Sequence, residues 1–366
     1  MIMRIGILTH GNNMFGRHYA RVFSQRGHEV ILFFLSRRQV DTSVYEMYDL
    51  SPPGFNPAAD TARMPYAETI LPVRRAVRGA GPDILFALYM SSAGVVACLS
   101  GHPHVVVSAR GTDVNGHIGS RIWRAVFRWQ GRRCDLVHAV SQPLADKLQG
   151  AGVDPGKLIV CPIGVDTQRL GLIDPAARPD ARRIVTTRAH GPTYDQDTLV
   201  RALARLKQRG FDCHVTFASD LRAEPTRQLV RQLGLEDRVT FLGGYRLEEL
   251  PSVLAAADVF VSCSRSDGTS SSLLEAMSTG TFPVVSDIEA NRPWVRHGRN
   301  GYLFAVGDDA ALADLLADAL SNADLRAAAA PLNRQIILER GDVYGQMDKL
   351  LEAFRRVLTS RTGRKA

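Results

Sequence analysis

Short, uninterrupted apolar runs recur along this chain, separated by helical or glycine-containing stretches. In the first half the runs cover 5–8, 30–35, 83–88, 104–109 and 135–140, with a loop predicted over 11–18 and a helix over 19–27. Uninterrupted runs are typical of parallel strands buried on both faces. Because these strands alternate with helices, the pattern predicts a doubly wound, Rossmann-like parallel sheet.

The pattern of apolar runs is interrupted over 162–183. This segment contains three prolines and two glycines and has little hydrophobic periodicity. Apolar runs then restart at 183–188, 213–219, 238–244, 258–264 and 281–287, with helices predicted over 197–210, 224–234, 247–257 and 272–280. We predict a first Rossmann-like domain over 1–165, a linker over 166–182 and a second Rossmann-like domain over 183–340. A helix in the segment 341–366 is long enough to return to the first domain. Two such domains would face each other across a cleft.

Composition adds few constraints. The chain has 366 residues, 45% of them hydrophobic and 22% charged, which suits two globular domains. No apolar stretch reaches the roughly 18–20 residues of a membrane span, and the N-terminus runs directly into a predicted strand without a signal-peptide pattern. We therefore expect a cytoplasmic protein.

Charge and cysteine content narrow the chemistry slightly. A net charge of +8 and a pI near 9.5 favour phosphate-bearing partners in general. The five cysteines lack zinc-ligand spacing and are predicted to be reduced, buried thiols: Cys98, Cys134, Cys161, Cys213 and Cys263.

The most informative stretch is 264–304. A small-residue loop, which begins with Asp267-Gly268, follows an apolar strand and opens an apolar helix that carries Glu275. The first N–H groups of a helix lack internal partners and lie at the positive end of its dipole, so they favour a phosphate or a sugar hydroxyl. An ordinary strand–turn–helix with a serine N-cap is the alternative for the loop alone.

At this point the chain resembles the retaining glycosyltransferase family 4, of the GT-B fold, over nearly its whole length. The segment DGTSSSLLEAM (267–277) has the spacing of the family's Glu-x7-Glu signature, in a variant with SDG at its start. GHEV (27–30), PIGVD (162–166), FLG (241–243) and the residues that follow Gly280 also match family motifs in order.

The resemblance implies roles for individual residues. Glu275 would hold the ribose of a donor nucleotide, Asp267 a hydroxyl of the transferred sugar, and Arg188 the donor diphosphate, where a cation absorbs leaving-group charge. Arg110 is the fourth expected catalytic residue. The remaining expected donor-site residues are Gly16, Tyr194, Gly243, Tyr245, Gly268, Thr269, Ser270, Ser271 and Leu274.

Three departures from the family pattern accompany these matches. No lysine follows Arg188 at the usual distance, and Tyr194 stands about there instead. Tyr194 can donate a neutral hydrogen bond to phosphate but supplies no charge. Asp267 replaces a glutamate, and Arg110 replaces a histidine often found near the reacting sugar, where it would bind phosphate.

We interpret two other motifs as ordinary structural features. Asp195-Gln196-Asp197 has metal-binding DxD spacing, but it lies at a predicted helix start where acidic residues complement the dipole, so we expect no metal. The helix over 120–133 places Arg121, Arg124, Arg128 and Arg132 on one face. We expect a solvated basic face over core aromatics, with peripheral contact to an anionic membrane as the alternative.

The implied function is metal-independent, cofactor-free, retaining transfer from a nucleoside-diphosphate sugar, with UDP the favoured nucleotide, to a hydroxyl-bearing acceptor. No nucleic-acid partner is expected, and the missing dinucleotide fingerprint disfavours an NAD-dependent enzyme. A GT-B epimerase or phosphorylase and a non-catalytic nucleotide-sugar-binding subunit remain alternatives.

Overall fold

The computed structural model describes residues 1–11, 14–36, 45–51, 66–173 and 182–362. Within these ranges the chain forms two compact units. The first comprises Met1–Pro162 together with the segment from Gln346 onward, and the second comprises Ile163–Gly345. Both units are α/β units built on a parallel sheet, as the alternation of apolar runs predicts.

The described part of the first unit contains a seven-stranded sheet in the order β3-β2-β1-β4-β5-β6-β7. Its strands are β1 (Arg4–Thr9), β2 (Glu29–Phe34), β3 (Glu46–Asp49), β4 (Ile84–Leu88), β5 (Val105–Ala109), β6 (Leu136–Ala139) and β7 (Leu158–Val160). Its helices are α1 (Met14–Gln25), α2 (Tyr66–Ala80), α3 (Gly94–Leu99), α4 (Thr112–Asn115), α5 (Arg121–Arg133) and α6 (Gln142–Gly150). A π-helical turn, Tyr89–Ala93, precedes α3, and a 3-10 turn, Pro155–Lys157, precedes β7.

An aromatic cluster lies at the centre of the first unit. The rings of Tyr19 and Phe86 meet edge to face with centroids 5.2 Å apart, and the last helix, α13 (Val343–Thr362), brings Phe354 within 5.3 Å of Phe86. Edge-to-face pairs of this kind add to the free energy gained from burying the rings. The C-terminal helix is thus part of the first unit's core.

The described part of the second unit contains a six-stranded sheet in the order β10-β9-β8-β11-β12-β13. Its strands are β8 (Arg183–Thr186), β9 (His214–Phe217), β10 (Val239–Phe241), β11 (Val259–Ser262), β12 (Phe282–Ser286) and β13 (Tyr302–Phe304). Its helices are α7 (Gln196–Gln208), α8 (Glu224–Gln232), α9 (Leu250–Ala255), α10 (Ser271–Thr279), α11 (Asp309–Ser321) and α12 (Ala323–Arg340). The 3-10 turns Glu236–Arg238 and Leu247–Glu249 precede β10 and α9.

Both faces of the second sheet are buried. Val259 and Val261 of β11 pack with α7 and α11 on one face, whereas Phe260 packs with α9, α10 and α12 on the other. Alternate residues of one strand therefore serve two cores, which explains why the apolar runs are continuous.

Nine of the ten predicted strands are confirmed within two residues at each end, and the strand predicted over 238–244 ends three residues early, at Phe241. Three short strands were missed. β3, β7 and β13 have four, three and three residues, and they lie at sheet edges. β3 and β7 contain no buried residue, so the chain has no long apolar run there.

The predicted loop over 11–18 is wrong in its second half, because α1 begins at Met14. Gly16 therefore lies in a helix. A Cβ atom at Gly16 would stand 2.9 Å from Cγ2 of Thr9, so the glycine permits close packing of α1 on β1. Residues 12–13 lie outside the described part of the chain.

The division between the units also differs from the predicted linker. It falls at Pro162, and the segment 163–173 belongs to the second unit. Val165 pairs with Asp342 in a parallel bridge, and Leu170 is 4% exposed in the core beside α12. Residues 174–181 of the predicted linker lie outside the described residues.

The five cysteines are free and buried, as predicted. Helix α5 presents its arginines outward and buries Phe127, whereas Trp123 and Trp129 are only partly buried. Ile122 of the same helix is 76% exposed. Among the described residues, every helix falls short of the length and apolar character that a membrane crossing requires.

The packing at Gly94 yields a stability prediction. A Cβ atom there would lie 2.6 Å from Cγ1 of Val107 and 3.1 Å from the carbonyl oxygen of Tyr89. We expect Gly94→Ala to lower the free energy of unfolding by about 1–3 kcal/mol through overpacking, measured by urea denaturation.

The matched control is Gly79→Ala in α2 of the same unit, where an added Cβ atom meets nothing within 4 Å. This variant should be as stable as the wild type or gain up to about 1 kcal/mol of helix propensity. Equal losses in both variants would contradict the packing explanation.

Candidate functional site

The centre of the second sheet brings two loops together. Strands β8 and β11 are hydrogen-bonded neighbours, but the chain leaves β8 toward β9 and later returns on the other side as β11. The loops after two such strands diverge, and ligands bind open α/β sheets in the crevice that this leaves. Arg188 follows β8, and the loop 263–270 follows β11. Because these strands are neighbours, the Arg188 side chain lies beside the small-residue loop.

Arg188 is held on three sides by side chains of the second unit. Its Nη2 donates to Oδ2 of Asp267 at 2.5 Å, and its Nη1 donates to Oγ of Ser270 at 3.2 Å. Its guanidinium carbon lies 4.5 Å from the ring centroid of Tyr194, within cation–π range. The side chains of Arg188 and Asp267 are only 11% and 17% exposed, so this ion pair is weakly screened by solvent.

Helix α10 begins at this ion pair. Ser270 is its N-cap, and the Ser270 hydroxyl accepts a hydrogen bond from the backbone N–H of Leu273. The backbone N–H of Gly268 donates to Oδ1 of Asp267 at 2.8 Å, while Thr269 is buried. The positive end of the helix dipole and the Arg188 charge therefore act at the same place, which favours an anionic ligand.

Glu275 lies one turn into α10 and is partly buried. Burial raises the pKa of its carboxyl from 4.5 to about 7, although the charge of Arg188 acts in the opposite direction. Among the described residues, the Glu275 carboxylate forms no hydrogen bond or ion pair. A carboxylate without a protein partner at this depth is available to accept hydrogen bonds from a ligand.

Tyr245 and Gly243 belong to the loop after β10. Burial and the charge of Glu275 raise the pKa of the Tyr245 hydroxyl to about 12, so the two side chains are electrostatic neighbours. Gly243 has φ 82°, a left-handed conformation that favours glycine. Leu274, in contrast, is 1% exposed and contributes its side chain to the core.

The second unit thus brings together most of the predicted donor-site residues. Arg188, Tyr194, Asp267 and Ser270 are in contact, and Glu275 and Tyr245 are coupled electrostatically to each other and to Arg188. Gly16 and Arg110 belong to the first unit.

Arg110 is 7% exposed in the first unit. Its Nη1 donates to the hydroxyl of Tyr19 at 2.7 Å, and its guanidinium carbon lies 4.1 Å from the ring centroid of Phe15. Its Nε and Nη2 are buried and lack hydrogen-bond partners among the described residues. Unpartnered guanidinium N–H groups at this depth are suited to an anionic ligand.

Asp113, three residues after Arg110, has a structural role. Its carboxylate accepts hydrogen bonds from the backbone N–H groups of Met90, Arg110 and Gly111 at 2.7, 3.0 and 2.8 Å. Burial raises the pKa of Asp113, and these hydrogen bonds act in the opposite direction. Asp113 therefore fixes the loop that carries Arg110 and has little capacity left to act as a base.

The DxD-spaced segment lies at the start of α7. Asp195 forms an ion pair with Arg265, and Gln196 is buried with its amide donating to the carbonyl oxygens of Arg188 and Ala189 at 3.1 and 3.2 Å. Among the described residues, no cluster of histidine, cysteine or carboxylate side chains could hold a metal ion. Sequence reasoning missed Gln196 and Arg265 because nothing local indicates which strand adjoins β8.

Both halves of the chain match family models. Residues 14–169 match "Glycosyltransferase Family 4", and residues 182–322 match "Glycosyl transferases group 1". A GDP-mannose-dependent alpha-(1-6)-phosphatidylinositol monomannoside mannosyltransferase of Mycobacterium tuberculosis is 30% identical over 257 residues, which is 65% of this chain and 66% of that protein. An MMP alpha-(1->4)-mannosyltransferase of Mycolicibacterium hassiacum is 33% identical over 46% of this chain and 43% of its own length. The chain thus spans just under two thirds, or less, of these relatives.

Solved structures resemble the chain over nearly its full length. HepE of Anabaena in complex with UDP has a TM-score of 0.79 at 19% identity, covering 96% of this chain and 100% of that one. Sucrose-phosphate synthase of Thermosynechococcus elongatus has the same TM-score at 16% identity, covering 98% and 100%. At these identities the likeness concerns the fold, which is GT-B, as predicted.

Glu275 gives the site a pH-dependent stability. Because its folded-state pKa is near 7 and its ordinary value is 4.5, the folded protein keeps a proton that the unfolded chain releases. The free energy of unfolding therefore decreases as the pH rises from about 4.5 to 7. We expect Glu275→Gln to raise the Tm by roughly 2–8 °C at pH 8, at about 2–4 °C per kcal/mol. The difference should vanish near pH 4.5.

The control for this prediction is Glu339→Gln, which alters an exposed carboxylate in α12. Differential scanning calorimetry between pH 4.5 and 8 provides the measurement. A Glu275→Gln profile parallel to those of the wild type and the control would show that Glu275 titrates normally.

Proposed function

Because the chain combines a Glycosyltransferase Family 4 domain with a Glycosyl transferases group 1 domain, we propose that it is a glycosyltransferase. It takes a sugar from a nucleoside-diphosphate sugar and transfers it to a hydroxyl-bearing acceptor. The observation that carries the proposal is the Arg188 guanidinium, which is held at the N-terminus of α10. It lies one helical turn before the Glu275 carboxylate, which has no partner among the described residues.

In the proposed donor site, different residues contact different parts of the nucleotide-sugar. Glu275 accepts hydrogen bonds from the ribose hydroxyls, and Tyr245 and Gly243 lie beside the nucleotide. Arg188 and the backbone of 268–271 bind the diphosphate and the sugar, and Asp267 accepts a sugar hydroxyl. The charge of Arg188 suits this role because the leaving diphosphate gains negative charge as the glycosidic bond breaks.

We propose transfer with retention and without a protein base. The acceptor oxygen bonds to the anomeric carbon on the face from which the diphosphate leaves. Its proton passes to a phosphate oxygen of that diphosphate. This route suits the first unit, where Asp113 is occupied by backbone N–H groups. The protein then contributes orientation and charge stabilisation.

We propose that Arg110, in the first unit, also binds a phosphate group. Two buried N–H-bearing nitrogens of Arg110 are unpartnered among the described residues, which supports binding of a phosphate group. Tyr194 contributes its ring to Arg188 and has a hydroxyl able to donate to phosphate.

UDP is our favoured nucleotide, although the mycobacterial relative is named for GDP-mannose and HepE was solved with UDP. The same relative is named for a phosphatidylinositol-based acceptor. A lipid-linked acceptor would suit the exposed arginines and Ile122 of α5, which could meet an anionic membrane at the cytoplasmic face.

A thermal-shift panel tests the donor site. We expect one of UDP, GDP and ADP, but not NAD, to raise the Tm of the wild type. A ligand at 100 times its Kd adds about 2.7 kcal/mol. Glu275→Ala should abolish this shift, because the ribose hydroxyls lose their acceptor, whereas the control Glu339→Ala should keep it. Absence of a shift with all three diphosphates would overturn the donor-site proposal.

The stereochemistry of the product tests the reaction. Proton NMR of the newly formed glycoside should show the anomeric configuration of the donor sugar, and Arg188→Ala should lower kcat by about 100-fold or more, as for loss of one charge-stabilising group. Inversion would contradict the proposed route. Donor epimerisation without acceptor would identify an epimerase, and tight binding without turnover would identify a non-catalytic subunit.

A further inference from the structure

Arg265 joins the two loops that carry the proposed diphosphate site. Its backbone N–H donates to the carbonyl oxygen of Thr193 at 2.9 Å, and its Nη2 lies 2.8 Å from Oδ2 of Asp195. Thr193 and Asp195 flank Tyr194 in the loop after β8, whereas Arg265 follows β11. One residue therefore holds both sides of the tyrosine.

Asp195 adopts a backbone conformation that needs such support. Its φ and ψ are 46° and 49°, in the left-handed region that residues other than glycine rarely occupy. Its carboxylate also accepts a hydrogen bond from the hydroxyl of Thr198 at 2.9 Å, and its side chain is 9% exposed. Unusual backbone conformations persist when surrounding contacts over-determine them.

The two side chains that support the Arg188 guanidinium are both linked to Arg265. Tyr194, held between the two anchor points, lies under the guanidinium of Arg188. On its other side Arg188 donates to Asp267, which is two residues after Arg265. Arg265 therefore holds both supports of the Arg188 guanidinium. It contacts the residues on either side of Tyr194, and it precedes Asp267 by two residues in the same loop.

Most ion pairs with an exposed arginine contribute little, and the Arg265 side chain is 55% exposed. The Asp195–Arg265 pair differs because its acid is nearly buried and sits at a left-handed residue next to Tyr194. Within the described part of the chain, loss of Arg265 would leave the Asp195 carboxylate with the Thr198 hydroxyl as its one remaining side-chain partner, and the loop would relax. The effect would reach Arg188 through the tyrosine ring.

We propose that Arg265 is a positioning residue that fixes Arg188 for the diphosphate of the donor, acting through Asp195 and Tyr194. The inference rests on the proposed donor site and adds to it a residue that does not touch the ligand. The consequence is selective. Loss of the pair weakens binding of a nucleoside diphosphate, which needs an oriented guanidinium, and spares the nucleoside, which depends on Glu275 and the nucleotide loop.

The experiment compares UDP with uridine, GDP with guanosine and ADP with adenosine by calorimetry or NMR titration. We expect Arg265→Ala to weaken the bound diphosphate about tenfold and its nucleoside by less than twofold. Arg265→Lys, which can still meet Asp195, should recover much of the loss. Tyr194→Ala should reproduce the defect and add little to Arg265→Ala. Tyr194→Phe should lose less binding than Tyr194→Ala, because it keeps the ring that supports Arg188 and loses only the hydroxyl.

The matched control is Arg205→Ala, which removes another pair in the second unit. Arg205 and Asp309 are 2.7 Å apart and 46% and 19% exposed, close to the values for Arg265 and Asp195. This variant should bind the diphosphate like the wild type.

Equal weakening of diphosphate and nucleoside would show general loss of structure and overturn the inference, as would unchanged diphosphate binding in Arg265→Ala. A wild-type protein that binds none of UDP, GDP and ADP would instead overturn the proposed function itself, and the inference with it.

Discussion

The candidate site depends on keeping one guanidinium charged, nearly buried and fixed in direction. A guanidinium carries a permanent positive charge, so the Arg188 side chain, which is only 11% exposed, needs a countercharge and directed acceptors. Asp267 supplies the countercharge, and the Ser270 hydroxyl and the ring of Tyr194 contact the guanidinium on its other sides. The arrangement exists because β8 and β11 are neighbours whose carboxyl ends meet at one edge of the sheet.

Burial accounts for the raised pKa of Glu275, in the helix that begins at this ion pair. A carboxyl group buried one turn into α10 resists ionisation, and its pKa rises to about 7 even with Arg188 near enough to oppose the shift. A ligand that donates hydrogen bonds to this carboxylate would offset the cost of its burial. Glu275 therefore lowers the free energy of unfolding above neutral pH, while its carboxylate can bind a ligand. Functional sites commonly reduce stability in this way.

Part of this site could be predicted from local sequence because the strand, loop and helix around 264–280 are contiguous. The spacing of Asp267 and Glu275 places one carboxylate in the loop and the other a turn into the helix, whatever the rest of the chain does. The left-handed conformation of Asp195 and the burial of Gln196 could not be predicted, since they result from contacts with residues distant in sequence or with the start of the same loop.

The sequence by itself determined the two Rossmann-like sheets, because continuous apolar runs and their alternation with helices require strands buried on both faces. It also determined the loop–helix signature, because such motifs are local. Only the tertiary structure decided that α1 begins at Met14, that Leu170 enters the second core, and that Arg265 spans to Asp195. The physical reason is that strand order and close packing depend on which distant segments become neighbours, and local patterns of polarity do not encode that choice.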